Sequence, residues 1–173
     1  QPRLMPHFHL SLQAGDNLIL KRMKRRHQRE QVIEFCQEVR KVRKEVAFGA
    51  DIIAGFPTED DLMFENSYRL IEQLAIPFLH VFTYSERVGT PAAKIPQAKQ
   101  VPIAERKRRA KALRDLGAKN LQNFSRKFIG KKCQLLVEKA NLARSEEYLN
   151  VNLPKSLPIG SLIEAEIALN EQD

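Results

Sequence analysis

The chain has 173 residues, of which 43% are apolar, and this is enough for one domain plus a small appendage. Its 29 basic and 21 acidic residues give a formal net charge of +8, which favours polyanionic partners but does not define a fold. No apolar run approaches the roughly 20 residues that cross a bilayer, and no signal-peptide pattern begins the sequence. We therefore expect a cytoplasmic protein that does not span a membrane and whose two distant cysteines stay reduced.

Strand and helix patterns alternate along the first half of the sequence. Strands are predicted at residues 7–12, 47–54 and 78–83. Helices are predicted at residues 18–27, 30–46, 60–74 and 102–124. Because strands that alternate with helices form right-handed parallel units, the pattern predicts an α/β fold rather than a meander.

Particular residues indicate the helix ends and the buried faces. Asp16 or Asn17 is expected to cap the first helix, and the carboxylates at residues 59–61 complement the positive end of the third helix. The second helix carries apolar residues at helical spacing, which predicts one buried stripe. Its members are Val32, Phe35, Cys36, Val39, Val42 and Val46. Cys36 is therefore interpreted as a core residue.

After Pro91 the sequence becomes more polar, with a linker that leads into a long basic helix. Short strands are predicted beyond that helix at residues 133–137, 148–152 and 162–169. The net charge is +6 on residues 21–46 and again on residues 99–114, which favours contact with RNA. The charges of residues 126–173 sum to zero, so we do not expect the tail to bind RNA alone.

Polar loops that contain glycine follow each of the three predicted strands of the first half. They contain Gln13 and Gly15, then Gly55 and Phe56, then Tyr84, Ser85 and Gly89. Since the carboxyl ends of parallel strands meet at one edge and leave backbone amides free, these loops predict a ligand-binding site. From the residues alone, Arg25 is better explained as one of several basic side chains on a solvated helix face.

Three segments together carry a resemblance to a known family. They are residues 6–13, 51–59 and 82–92. In these segments the chain resembles the radical S-adenosylmethionine methylthiotransferases, and most of all the branch that modifies threonylcarbamoyladenosine in the tRNA anticodon loop. The resemblance covers residues 3–125 strongly and the remainder weakly, and it is to the second half of the family's chain.

The resemblance implies an architecture in three parts. Residues 1–96 would form the second half of an open (β/α)6 TIM-like barrel of the radical S-adenosylmethionine type. Residues 97–126 would be a basic linker and helix. Residues 127–173 would form a small β-barrel-like domain of the TRAM type.

The resemblance also implies roles for particular residues, none of them catalytic. Gln13 and Arg25 would contact the ribose and the carboxylate of S-adenosylmethionine. Residues beside the cofactor would further include Gly55, Phe56 and Tyr84. Basic side chains that meet the tRNA would be Arg87, Lys21, Arg106 and Arg109. The family usually has glycine where Thr58 stands, so a tighter or differently hydrogen-bonded turn is expected there.

One departure from the family limits what the chain can do. The family motif Cys-x3-Cys-x2-Cys is absent, and Cys36 and Cys133 lie too far apart in the sequence to replace it. Because a 4Fe-4S cluster needs several converging thiolates, we expect the chain to be inactive without a separate N-terminal, cluster-bearing chain. The first strand would also have an unpaired edge, which predicts a homo-oligomer or dependence on such a partner.

Two other functions remain open from the sequence. The chain could be a non-catalytic, basic RNA-binding module, or the remnant of a split gene.

His7 and His9 alternate along one face of a strand, with no thiols or carboxylates beside them in the sequence. No metal site is therefore predicted.

Overall fold

The computed structural model describes residues 3–168, and it contains two sheets with helices packed on the first. Within this range the strands are β1 (His7–Gln13), β2 (Ala47–Ala54), β3 (Phe78–Thr83), β4 (Lys132–Lys139), β5 (Leu142–Ser145), β6 (Asn150–Asn152) and β7 (Leu162–Glu166). The α-helices of the same range are α1 (Asn17–Arg22), α2 (Arg29–Val42), α3 (Asp61–Leu74) and α4 (Ile103–Ser125). Among these described residues, no helix combines the length and apolar character needed to cross a membrane.

The first sheet has the spatial order β1-β2-β3, and both neighbouring pairs of strands are parallel. α1 and α2 connect β1 to β2, α3 connects β2 to β3, and α4 packs on β3. This arrangement confirms the predicted α/β fold. β2 and β3 begin and end at the predicted residues, because each is an apolar segment bounded by turns.

The main core lies between this sheet and the helices. Phe48, Ala50 and Ile52 of β2 are fully buried there, together with Leu70 of α3 and Leu113 of α4. Each buried large aliphatic side chain stabilises the fold by roughly 1.5–3 kcal/mol. The central strand is therefore held firmly, and with it the loops that follow the strands.

α1 and α2 are shorter than predicted. α1 ends at Arg22 rather than residue 27, because Lys24 has a φ of 57° in the left-handed region, which no helix can continue through. The cap of α1 is Asp16, whose carboxylate accepts from the backbone N–H groups of Leu18 and Ile19. α2 ends at Val42, four residues before the predicted end.

The buried stripe predicted for α2 is only partly buried. Cys36 is fully buried, but Phe35 is 43% exposed and Val42 is 85% exposed. Phe35 and Val32 line an apolar groove of about 330 Å³ beside β1, which pairs with β2 alone among the described strands. The exposed faces of Phe35 and Val42 lie where no other part of residues 3–168 covers α2.

The second sheet is antiparallel and has the order β6-β5-β4-β7. Three of its strands correspond to predicted ones, whereas β5 was not predicted because its short segment Leu-Ala-Arg-Ser has a weak alternation. The sheet is not closed into a barrel within residues 3–168. The predicted last strand extends to Leu169, which lies outside the described residues.

The two sheets share a small apolar junction. Phe124 of α4, Phe128 after it and Leu149 of the tail pack with Ala47 at the start of β2. The rings of Phe124 and Phe128 lie 5.2 Å apart. The tail is therefore attached at the amino ends of the parallel strands, away from their carboxyl ends.

The two cysteines should differ sharply in reactivity. Burial raises the pKa of the Cys36 thiol to about 11, and the side chain is inaccessible. The thiol of Cys133 is half-buried, with a pKa that burial also raises. Because the thiolate is the reactive form, we expect a disulfide reagent at pH 8 to modify Cys133 slowly and Cys36 only after unfolding.

The matched variants for this measurement are Cys133→Ser and Cys36→Ser. Native Cys133→Ser protein should release no chromophore until denaturant is added, while native Cys36→Ser protein should behave like the parent. Rapid modification of native Cys133→Ser protein would contradict the burial of α2 against the sheet.

Candidate functional site

A pocket of about 250 Å³ lies at the carboxyl ends of β1 and β2. It is lined by residues from the first two strand-end loops and from the loop after β3, among them Gln13, Arg22, Arg25, Phe56 and Thr90. The predicted convergence of the three loops is therefore observed. The pocket combines basic, amide and aromatic groups, which suits a polar ligand with an aromatic part.

Gln13 ends β1 with an unusual backbone. Its φ is 72°, and the pairing of β1 with β2 shifts register between Leu10 and Gln13. The left-handed conformation is costly for a residue with a side chain and is typical of positions where function constrains the backbone. Gln13 is half-buried, and its side-chain amide donates to the Ser11 hydroxyl at 3.3 Å.

Arg25 reaches the same pocket because of the turn that ends α1. Lys24 is left-handed, and the backbone N–H of Arg25 then donates to the carbonyl of Leu20 at 2.9 Å. The turn carries the chain back across the end of β1. The Arg25 side chain is exposed, and no ion pair of it occurs within residues 3–168. Its guanidinium is thus able to bind a carboxylate.

Gly55 and Phe56 shape the second side of the pocket. Gly55 has a φ of 77°, and a Cβ there would lie 2.4 Å from Cγ of Arg106, so no larger residue fits. Phe56 is buried, with its ring edge-on to Tyr84 at 5.5 Å. The Tyr84 hydroxyl is buried and has no hydrogen-bond partner among the described residues. An aromatic wall with a spare hydroxyl therefore stands beside the pocket.

The turn after Phe56 contains Thr58, the residue for which a tighter or differently hydrogen-bonded turn than in the family is expected. Thr58 has a φ of 73°, a region that glycine occupies without strain. Its hydroxyl accepts from Nη1 of Arg22 at 2.6 Å, and its backbone N–H donates to the carbonyl of Lys99. The contact of the hydroxyl with Arg22 gives threonine a hydrogen-bonding role that glycine could not fill, whereas the backbone bond to Lys99 is open to either residue.

A buried ion-pair network supports this turn from below. Arg109 of α4 is 3% exposed, and its Nη1 donates to the Glu59 carboxylate at 2.9 Å and to the Glu59 carbonyl at 2.8 Å. Its Nη2 donates to Asp61 at 2.8 Å, and its Nε to Glu105 at 2.7 Å. Its partners differ in exposure, because the side chain of Glu59 is buried while that of Asp61 is exposed.

The same network fixes the backbone of Gly55. The N–H of Gly55 donates to the Glu59 carboxylate at 2.9 Å, so Glu59 joins Arg109 to the pocket turn. Burial raises the pKa of Glu59, although the bonds from Arg109 and Gly55 act in the opposite direction. The hydrogen bonds from Arg108 and Arg109 lower the pKa of Glu105 to about 2. Glu105 therefore stays ionised throughout the physiological range.

Two of the predicted tRNA contacts are corrected by these positions. Arg109 is buried, and Glu59, Asp61 and Glu105 occupy its N–H groups, so it cannot meet a phosphate. Arg106 donates to the carbonyls of Val101 and Tyr84 and to the Gln100 side chain, and it stacks over the Tyr84 ring. Both residues position the turn instead. Nothing in the sequence indicates this, because both residues belong to a run of basic residues that look alike.

The other two predicted tRNA contacts are exposed. Lys21 lies in the last turn of α1, and Arg87 lies in the loop after β3. Lys24 and Arg26 are also exposed and lie in the turn after α1. The structure therefore leaves a basic rim, which we define as Lys21, Lys24, Arg26 and Arg87.

The described residues do not fit an iron–sulfur cluster. Cys36 is buried on the inner face of α2, and Cys133 lies in β4 of the other sheet. Neither cysteine lines the pocket. The residues of the pocket do fit S-adenosylmethionine, because Arg25, the Gln13 amide and the Phe56 ring line one cavity. Gly55 and Tyr84 adjoin Phe56 but do not themselves line this cavity.

Comparisons with known proteins agree with this geometry. The model of the Radical SAM superfamily matches residues 3–71. The fold also resembles part of the Escherichia coli coproporphyrinogen III oxidase HemN, described as a radical SAM enzyme. The TM-score is 0.57 at 15% identity, over 94% of this chain and 39% of that one. That likeness shows the fold alone. The family model thus matches the part of the chain that contains β1, β2 and most of α3.

Relatives in sequence narrow the class. The threonylcarbamoyladenosine tRNA methylthiotransferase MtaB of Rickettsia prowazekii is 56% identical over 95% of this chain and 38% of that protein. The MtaB of Aquifex aeolicus is 34% identical over 94% and 39%. The tRNA-2-methylthio-N(6)-dimethylallyladenosine synthase of Ehrlichia canis is 38% identical over 79% and 30%.

These relatives confirm the family inferred from the sequence. The chain belongs to the radical SAM methylthiotransferases, and it spans about two fifths of the length of the first relatives that it matches.

Removal of the Arg109 guanidinium should destabilise the protein strongly. In Arg109→Met, Glu59 would be left buried without its cation, and loss of one partner of a buried pair costs about 3–5 kcal/mol. Because the pKa of Glu59 is raised in the folded state, the loss should grow as pH rises through that pKa, and it should be smaller at pH 5 than at pH 8. Denaturant unfolding at both pH values measures this.

Two controls separate the buried pair from a general effect of charge. Arg108→Met removes an exposed cation one position earlier, and it should change the unfolding free energy little. The double variant Glu59→Gln/Arg109→Met removes both charges and should recover part of the loss. Equal losses in Arg108→Met and Arg109→Met would contradict the network.

Proposed function

We propose that the chain is the portion of a tRNA methylthiotransferase that forms one side of the S-adenosylmethionine site and a basic surface for tRNA, with threonylcarbamoyladenosine as the modified base. The observation that carries the proposal is the pocket where Gln13, Arg25 and Phe56 meet. The 56% identity with the Rickettsia MtaB supports the choice of base.

Each group in the pocket has a definite task in this proposal. The Arg25 guanidinium binds the cofactor carboxylate through charge-assisted hydrogen bonds. The Gln13 amide meets the ribose, while Phe56 and Tyr84 form the apolar wall for the adenine. Gly55 permits close approach of the backbone. When bound, the cofactor supplies the group-transfer and radical chemistry of the family.

The cluster that this chemistry needs would come from outside the described residues. The edge of β1 and the apolar groove beside it, with Leu10, Leu12, Val32 and Phe35, form a surface that further strands and helices would cover. We propose that a cluster-bearing segment occupies this surface in the active enzyme, as a separate chain or as part of a longer one. A second copy of the chain is the alternative occupant of this surface.

The proposed site of action is the cytoplasm.

Binding of S-adenosylmethionine tests the proposal directly. In isothermal titration, we expect the chain to bind the cofactor and Arg25→Ala to weaken binding by about tenfold to hundredfold, since one charge-assisted contact contributes roughly 1.5–3 kcal/mol. The matched control is Arg26→Ala, which removes the neighbouring exposed cation outside the pocket. Its affinity should equal that of the parent. Absence of heat with the parent, or equal affinities of both variants, would count against a preformed cofactor site.

A second function, RNA binding without catalysis, is favoured by the basic rim. Lys21, Lys24, Arg26 and Arg87 are exposed, and no ion pair of theirs occurs among residues 3–168. Four basic residues of α4 differ, because Arg106 and Arg109 position the pocket turn while Arg108 and Lys111 are paired with carboxylates of their own helix. Lys107 and Lys119 of the same helix are exposed, and no ion pair of theirs occurs among residues 3–168. If RNA is bound, the rim rather than α4 should therefore supply most of the contacts.

Salt-dependent tRNA binding distinguishes the two surfaces. We expect Lys21→Ala/Lys24→Ala/Arg26→Ala to lower the affinity and to reduce the slope of log K against log salt by about two to three, because roughly one counterion is released per phosphate contact. The matched control is Arg69→Ala/Arg108→Ala/Lys111→Ala, which removes three cations paired in the structure.

The control triple should change the slope much less than the rim triple. Fluorescence anisotropy of labelled tRNA between low and moderate salt measures both. Tight tRNA binding with no affinity for S-adenosylmethionine would favour the RNA-binding module over the enzyme portion. Equal slopes in the two triples would reject the rim as the tRNA surface.

A further inference from the structure

Three side chains with metal-binding atoms meet on the open face of the parallel sheet. They are His9 of β1, Asp51 of β2 and His80 of β3, and their ligand atoms all lie within 4.8 Å of one another. Nε2 of His9 is 3.0 Å from Oδ1 of Asp51, and Nδ1 of His80 is 3.4 Å from the same oxygen. The sequence did not predict this group, because its members come from three separate strands.

The strand register explains how they meet. His9 is opposite Gly49, and Asp51 is opposite His80, in adjacent parallel pairs. Side chains alternate between faces along a strand, so Asp51 lies on the same face as Gly49, two residues earlier. All three side chains therefore point away from the buried helices, whose core takes Phe48 and Ala50 instead.

A glycine makes room for one of the rings. A Cβ at position 49 would lie 2.5 Å from Nδ1 of His9. The His9 ring can therefore lie flat against β2, with Nε2 directed at Asp51, only because residue 49 has no side chain. The backbone at Gly49 therefore helps to position the His9 ring, unlike a contact between two flexible side chains in solvent.

Two imidazoles and one carboxylate are a common donor set for divalent transition metals. Ligand atoms around a tetrahedral zinc ion lie about 3.3 Å apart, given bond lengths of about 2.0–2.2 Å. The observed separations of 3.0 and 3.4 Å already match this spacing. The remaining coordination positions would face the open side of the sheet and hold water or another ligand.

The group lies apart from the proposed cofactor pocket. His9 is four residues before Gln13 on β1, which is about 13 Å along a strand. None of the three residues lines the cofactor pocket. His9 also borders the apolar groove beside β1, whereas Asp51 and His80 do not line it. A metal ion at this group would connect all three strands of the sheet on the face that the helices do not cover.

From this geometry we infer that His9, Asp51 and His80 form a binding site for one divalent transition-metal ion, of which zinc is the representative. The ion bridges β1, β2 and β3 and stabilises the sheet. Binding needs no redox step, because the imidazoles and the carboxylate supply the electron pairs and any proton lost passes to solvent.

Titration of zinc into tag-free protein tests the site. We expect one equivalent to bind with micromolar or tighter affinity and to raise the midpoint of thermal unfolding, because an ion that binds only the folded state stabilises it. His9→Gln, Asp51→Asn and His80→Gln should each weaken binding by about tenfold or more. The matched control is His27→Gln, which removes a histidine of the loop before α2 and should bind zinc like the parent.

Cobalt absorption provides a second measurement that does not depend on stability. Co²⁺ bound to this site should show ligand-field bands without thiolate charge-transfer bands, since Cys36 and Cys133 are not ligands. The bands should disappear in His80→Gln, whose exposed side chain can change without loss of the fold. No zinc binding by the parent, or binding that all three variants retain, would overturn the site and leave a plain His–Asp pair.

Discussion

The pocket depends on the ion pair between the buried guanidinium of Arg109 and the carboxylate of Glu59. The guanidinium neutralises Glu59, which in turn accepts the N–H of Gly55, so one ion pair joins α4 to the turn after β2. Without a cation nearby, a carboxylate that is 5% exposed would be expensive to ionise. Without the carboxylate, the left-handed Gly55 would lose its hydrogen bond. Phe56, which follows it, takes its place in the pocket wall only while this turn keeps its shape. A helix of the linker region is therefore part of the structure that forms the pocket.

The sequence predicted the elements whose identity is decided locally. β2 and β3 were predicted to the residue, because a continuous apolar run between turn signals has few alternatives. The meeting of Gln13 and Arg25 at one pocket was expected from the family resemblance only, since the residues alone favoured a solvated Arg25. The predicted end of α1 was wrong, because it depends on an uncommon backbone conformation. The end of α1 depends on the positive φ of Lys24, and lysine gives no warning of a left-handed turn.

Other features could not be predicted, because they depend on residues that are far apart in the sequence. Arg109 has the same appearance in the sequence as its exposed neighbours, and its burial is decided by Glu59, fifty residues earlier. The group of His9, Asp51 and His80 likewise requires the exact register of three strands. A shift of one residue in either pair would turn a ligand to the opposite face. Composition and periodicity contain neither kind of information.

Three incomplete features of the described residues have one cause, which is that β1 pairs on one side only. Its outer edge leaves backbone groups unpaired. In the groove beside it, Phe35 is exposed and Val32 is only half-buried, and the pocket at the carboxyl end of β1 is open to solvent. A segment that adds to this edge would complete all three together. Ordering of the β1 end by that segment would also hold Gln13 in its left-handed conformation before the cofactor arrives. Since coupling between two binding events is reciprocal, the cofactor would then strengthen the attachment of the segment by the same factor.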